Sequence, residues 1–106
     1  MTDNSVPAAE NSSLHPDQIW TRKSDVVWSA VDGEAVLLDV ASGYYFSLNK
    51  VGAIVWDMLD GEKSLGTIRD AICTRFSVSP ETVSADISAL IQHLAREKLA
   101  IIKQAG

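Results

Sequence analysis

The spacing of hydrophobic positions changes once along the chain. Before Asn49 the apolar residues alternate or run in short β-rich stretches, and after it they recur every three or four positions. Val26–Val31, Glu34–Val40 and Tyr44–Leu48 are rich in β-branched and aromatic residues and predict the strands of a β-meander. Asp32-Gly33 between the first two is a hairpin signal, because glycine accepts the positive φ such turns require. Ala41-Ser42-Gly43 is the second turn. Within the third strand, Tyr44, Phe46 and Leu48 share one face and Tyr45 and Ser47 the other.

After Asn49 the period predicts helices. Asn49 is placed to cap the first, whose apolar stripe is Val51, Ile54, Val55, Met58 and Leu59 and which Gly61 would end in the left-handed conformation. A second helix begins near Ser64 and carries Leu65, Ile68, Ile72 and Phe76 on one face. Ser77–Ser79 connects it to a third, with Ser79 as the cap and Pro80 at the first position, where the missing N–H costs nothing. Val83, Ile87, Leu90, Ile91 and Leu94 form its buried stripe. Leu99–Ile102 is a short apolar end, either a final strand or an extended cover over the core.

Met1–Asp17 has only Val6 and Leu14 as sizeable apolar groups and predicts a disordered tail, which leaves residues 18–103 as the domain. Gln18–Asp25 is transitional, with Ile19 and Trp20 available to fold back onto it. The expected fold class is α+β: an N-terminal three-stranded antiparallel meander followed by three helices, in a winged helix-turn-helix-like arrangement.

Composition narrows the choice of partner. A chain of 106 residues with 46% hydrophobic residues is one small domain, and a net charge of −5 repels phosphate backbones, so no nucleic-acid partner is expected. The acidity is local. Between Val26 and Asp60, the carboxylates Asp32, Glu34, Asp39, Asp57 and Asp60 are set against Lys50 alone. The lone Cys73 cannot form an internal disulfide, no apolar run is long enough to span a bilayer, and no export signal is visible. The expected location is therefore cytoplasmic, with no membrane partner.

Candidate chemistry is sparse. His15 lies in the tail beside Pro16 and reads as solvated; His93 flanks the third helix's apolar stripe. Cys73 adjoins Ile72 and reads as a small buried residue, with no cationic neighbour in sequence to make it a thiolate. Asp57 and Asp60 read as a solvated helical pair, and neither metal-ligand spacings nor a phosphate loop occurs. No enzyme, metal or cofactor is expected. Binding is the better reading. A DNA-binding winged helix needs basic or amide groups on its last helix, yet this one begins Pro80-Glu81, carries Asp86, and has Arg96 and Lys98 only near its end. A meander edge can instead accept an extended peptide strand, and Tyr44–Leu48 is the terminal strand. The same stretch also reads as a core strand covered by its own helices, and the residues alone do not choose.

The run Glu34-Ala35-Val36-Leu37-Leu38-Asp39, then Gly43-Tyr44-Tyr45-Phe46-Ser47-Leu48-Asn49, Gly52, Val55-Trp56 and Asp60-Gly61 resembles the PqqD-like family, the precursor-peptide recognition elements of ribosomal peptide pathways. Phe76-Ser77-Val78-Ser79, Val83, Asp86-Ile87, Leu90, Leu94 and Leu99 continue the likeness, which covers about Ile19 to Ile102. The turn Asp39-Val40-Ala41-Ser42-Gly43 is closer to stand-alone elements that assist lasso-peptide leader proteases than to the quinone-pathway version, which has a Pro-Glu pair there. The resemblance implies that the leader of a precursor peptide adds as a strand along Tyr44, Tyr45, Phe46, Ser47 and Leu48, faced by Asp86, Leu90 and His93 of the third helix. It implies delivery to a separate maturation enzyme, such as a leader peptidase, by a monomer or weak dimer. A winged-helix transcriptional regulator is the alternative, and a module that pairs its edges with a second copy is a further one.

Overall fold

The structure is a computed structural model describing residues 14–104. Most of the predicted tail lies outside the described residues. Its last part, Leu14–Asp17, runs to the start of the second helix, where Pro16 O accepts the Gly66 amide at 2.8 Å.

The elements are β1 (Ile19–Arg22), β2 (Val26–Val31), β3 (Glu34–Asp39), β4 (Tyr45–Leu48), α1 (Lys50–Met58), β5 (Asp60–Ser64), α2 (Leu65–Phe76), α3 (Pro80–Arg96) and β6 (Ala100–Gln104). The meander forms as predicted: β2, β3 and β4 make an antiparallel sheet in that order. Asp32 and Gly33 both take positive φ, 54° and 83°, which is the conformation a two-residue hairpin needs to match strand twist. The second turn is built on Asp39. Its carboxylate accepts the Ala41 amide and the Ser42 hydroxyl, and its carbonyl accepts the Gly43 amide at 2.7 Å. That capture ends β3 at Asp39, one residue before the predicted Val40.

The three helices also form, with the predicted caps at Asn49 and Ser79, and Ser64 caps the second. The Asn49 side chain accepts the Gly52 amide, Ser64 the Thr67 amide, and Ser79 the Thr82 amide. On α3, Val83, Ile87, Ile91 and Leu94 are buried as expected, while Leu90 is half-buried.

Three expectations need correcting. The chain is not simply a meander followed by helices, because a second antiparallel sheet, ordered β5-β1-β6, lies beside the first. The transitional segment supplies β1, the apolar end resolves as β6, and the polar Asp60-Gly61-Glu62-Lys63-Ser64 supplies β5. β5 shows no apolar alternation; it pairs with β1 at Ser64 and Asp60 across an irregularity in register, where the Asp60 side chain accepts the Glu62 and Lys63 amides. Second, Gly61 does not end α1. It has the expected left-handed φ, 81°, but lies within β5, while Leu59 caps the helix through a bond to Trp56 O. Third, Phe76 is 39% exposed, because α2 ends there and its ring lies against Arg75.

The core also differs from the predicted stripe of α1. Ala53, Val55 and Trp56 are buried there, whereas Val51, Ile54 and Met58 are only partly so. Val55, Trp56 and Leu59 meet Leu37 of the first sheet and Ile68, Ile72, Ile91, Leu94 and Leu99 in one cluster. Arg22 crosses to the end of α1, donating to Trp56 O and Asp57 O, where a cation meets the helix's last carbonyls. The result is a mixed α+β domain of antiparallel strands and three helices. Among the described residues no helix is long and apolar enough to cross a membrane.

Candidate functional site

The sheet order leaves β4 as an edge, since it pairs with β3 on one side only. The register sets which of its groups face outward. Asp39 N donates to Tyr44 O, and the same register continues as Leu37 opposite Phe46 and Ala35 opposite Leu48. Hydrogen-bonded and non-bonded pairs alternate in an antiparallel ladder, so Phe46 and Leu48 turn their amides to β3. Tyr45 and Ser47 therefore turn N–H and C=O outward, to the open edge. Side chains alternate the other way: Leu48 is buried and Phe46 half-buried on the core face, while Tyr45 is 71% exposed on the opposite face.

Beside this edge runs a groove of about 440 Å³ whose far wall is α3. Ser47 and Leu48 line it from β4, and Asp86, Leu90 and His93 from α3. Phe46 meets the His93 ring edge-on, with centroids 6.2 Å apart, and Tyr44 meets Phe46 in the same way at 6.5 Å. Seven of the eight residues expected at the site thus form one continuous aromatic and groove-lining row. Tyr45 belongs to the edge through its backbone alone.

Sequence reasoning missed the floor of the groove, formed by Asn49, Val51, Gly52 and Val55 of the α1 entry. A Cβ on Gly52 would lie 3.3 Å from Leu48 Cβ, so glycine lets α1 start close against β4. It also missed a second cavity of about 380 Å³ at the other end of the edge, where Tyr44 and Phe46 meet Lys23, Arg96 and Lys98. The helical repeat Asp86, Leu90, His93, then Arg96 or Glu97, was the available signal for it.

The other candidate groups stay apart from the groove. His15 lies by the α2 entry, 60% exposed and 3.7 Å from Asp17, and Cys73 packs on α2 against the core. Among the described residues no group of three or more His, Cys, Asp or Glu is placed to hold a metal. The buried Asp39 is paired with Lys23 at 3.4 Å, and the Ser42 hydroxyl, with Lys23 and the Ala41 amide, lowers its pKa against the opposing effect of burial.

Two solved structures resemble this chain. The chain is similar to TbiB1 in complex with the TbiA(beta) leader peptide, at 36% identity and a TM-score of 0.69, over 76% of this chain and 93% of that one. It is also similar to lasso peptide synthetase B1 complexed with the leader peptide, at 29% identity and a TM-score of 0.66, over 77% of this chain and 96% of that one. No curated protein matches. Both structures hold a leader peptide, which overturns the alternative of a winged-helix transcriptional regulator; Glu81 and Asp86 on α3 agree. The profile of the family described as Coenzyme PQQ synthesis protein D matches residues 34–100, and with most of the domain accounted for in this way, the chain belongs to the PqqD family.

Proposed function

We propose that this domain binds the leader region of a ribosomally made precursor peptide as an added strand on β4 and presents it to a separate maturation enzyme. The observation that carries the reading is the open β4 edge, with the Tyr45 and Ser47 backbone groups turned outward beside a groove of mixed apolar and polar lining. Strand addition satisfies those groups and supplies affinity that is nearly blind to sequence, and the groove supplies the choice of side chain. The likeness to two chains solved with leader peptides supports it. In this reading Tyr44, Phe46, Leu48, Leu90 and His93 hold alternate leader side chains and Asp86 adds charge. The arrangement is winged-helix-like, and the domain works in the cytoplasm as a monomer or weak dimer, without a cofactor and without catalysis of its own. Bond breaking belongs to the partner, such as a leader peptidase.

Titrating the isotope-labelled chain with the TbiA(beta) leader peptide tests this. Amide shifts should concentrate on Tyr45–Leu48 and on α3 from Asp86 to His93. Shifts confined to the β5-β1-β6 sheet would refute the reading.

A further inference from the structure

The edge of β4 is flanked by α3 beyond His93 as well. Past Phe46 lies the second, separate cavity, which Lys23, Arg96 and Lys98 line together with Glu97. Lys23 is already engaged by Asp39. Arg96 and Lys98 are exposed, and no ion pair among the described residues engages either of them. At the opposite end the charged wall residue is Asp86. The two cavities along the edge therefore differ in sign, from a carboxylate beside Leu48 to two cations beside Tyr44 that no ion pair among the described residues engages, with Glu97 offsetting part of their charge.

The backbone at Lys98 is a second, independent observation. Glu97 caps α3, Lys98 N donates to Ala95 O and Leu99 N donates to Leu94 O, a Schellman ending with Lys98 at its left-handed position, φ 61°. Glycine is the favoured residue there, and a side chain in that conformation costs stability. The lysine keeps a cation at the mouth of the cavity that glycine would remove.

The geometry sets a spacing. α3 runs antiparallel to β4, with Asp86 beside Ser47 and Leu48 and Arg96 beside Tyr44 and Phe46. From Asp86 to Arg96 the helix rises about 15 Å at ~1.5 Å per residue, which an extended strand covers in about four or five residues at ~3.3 Å each. Every strand pair in both sheets is antiparallel. A strand that continues the pattern on β4 enters beside Leu48 and leaves beside Tyr44.

We propose that the groove is read by charge in one direction: it selects peptides that place a basic side chain at Asp86 and, four or five residues later, an acidic side chain at Arg96 and Lys98. This rests on the strand-addition reading of the preceding subsection and adds the chemistry and polarity of the peptide. Apolar burial against Phe46 and Leu90 anchors the peptide whichever charges it carries, whereas the two ends reject the reverse order, because like charges would then face each other at both.

The probe is a displayed library of random twelve-residue peptides, panned on the full chain and on a charge-reversed form carrying Asp86→Lys, Arg96→Glu and Lys98→Glu. All three side chains are exposed, so the reversed form should fold, and circular dichroism checks this. Peptides enriched on the natural chain should carry the basic residue four or five positions before the acidic one, and the order should invert on the reversed form. For one enriched peptide, the milder pair Arg96→Gln and Lys98→Gly should raise Kd about tenfold at low salt and about twofold at high salt, where screening is strong. Amide shifts of the labelled chain report where each peptide sits. Peptides that shift β4 and α3 but show no charge order, or the same order on both forms, overturn this proposal and leave the leader-binding reading standing. Enriched peptides that never shift β4 or α3 overturn both.

Discussion

Asp39 holds the turn that delivers β4 to the edge of the sheet. Its two oxygens are shared among Ala41 N, Ser42 Oγ and Lys23 Nζ, and these contacts exist only when the loop is closed. The Ser42 hydroxyl leads the causes that lower its pKa from the ordinary 3.8, and at Asp60 the Lys63 ammonium does the same. A carboxyl with a lowered folded pKa binds protons more weakly folded than unfolded. Its contribution to stability is therefore complete above the unfolded value and is lost as pH falls through the folded one. The chain should lose stability below about pH 4, and Asp39→Asn should flatten that acid limb while lowering stability at neutral pH. Thermal melts of both proteins from pH 7 to pH 2 check it; parallel curves would mean Asp39 is not among the groups responsible. Trp56 is the opposite case. It is fully buried, and its Nε1 is the buried side-chain polar atom without a hydrogen-bond partner among the described residues. Losing the indole's extra volume costs packing, but losing the orphaned donor removes a desolvation penalty of ~1–3 kcal/mol. Trp56→Phe should consequently change stability by less than about 1 kcal/mol, against about 3–5 kcal/mol for Trp56→Ala, as chemical denaturation would measure.

At the scale of elements, what could be read in advance followed from local chemistry. Asn49 and Ser79 cap their helices, as Ser64 does at a start that could be read only approximately, because a short side-chain oxygen reaches an amide three residues on, a relation carried by sequence spacing. Asp32-Gly33 makes its hairpin for an equally local reason. β1 and β5 were not legible because their partners are distant: Ile19 pairs with Ser64 and with Gln104, and nothing within either segment signals the other. Gly61 shows the limit from the other side. Its positive φ could be foreseen, but not whether a helix end or a strand would use it. The groove was partly legible for the same reason that caps were, since the β4 alternation and the α3 repeat are local, while the facing of one by the other is not. The edge itself makes a sharp prediction. Ser47 N–H points outward, so Ser47→Pro removes a donor from the open edge without breaking a bond to β3. Circular dichroism should show an unchanged fold, and leader-peptide affinity should fall by ~0.5–1.5 kcal/mol for the lost bond, with more from ring clash. Phe46→Pro, which removes an inward bond, should instead destabilise the sheet. Equal effects of the two on the fold would place the outward set of amides wrongly.

At the scale of the whole molecule, the groove is a seam between parts that meet only in the folded state. β4 and the entry to α1 form one wall and floor, and α3 the other. α3 is fastened in turn to the second sheet, where the Leu99 carbonyl accepts from Lys23 and the Leu99 side chain is fully buried. β6 follows directly, pairing with β1, so the two ends of the domain are tied together behind the groove. A peptide held in the seam touches elements from both halves and has no site on the unfolded chain. Its binding energy must then appear as folding stability. At a free concentration of about one hundred times Kd the gain is ~2.7 kcal/mol. For a chain of this size each kcal/mol moves the melting temperature by roughly 4–8 °C, so a saturating leader peptide should raise it by about 10–20 °C in a single cooperative transition. The Leu90→Ala protein, with its groove wall cut back, should show a smaller rise at the same peptide concentration. Differential scanning calorimetry with increasing peptide decides between two outcomes. A rise that scales with the logarithm of peptide concentration means that the peptide binds the folded chain alone, as a site in the seam requires. Binding seen by titration with no rise in melting temperature would mean that the peptide sits on a surface that persists after the core has melted, and the seam would not be its site.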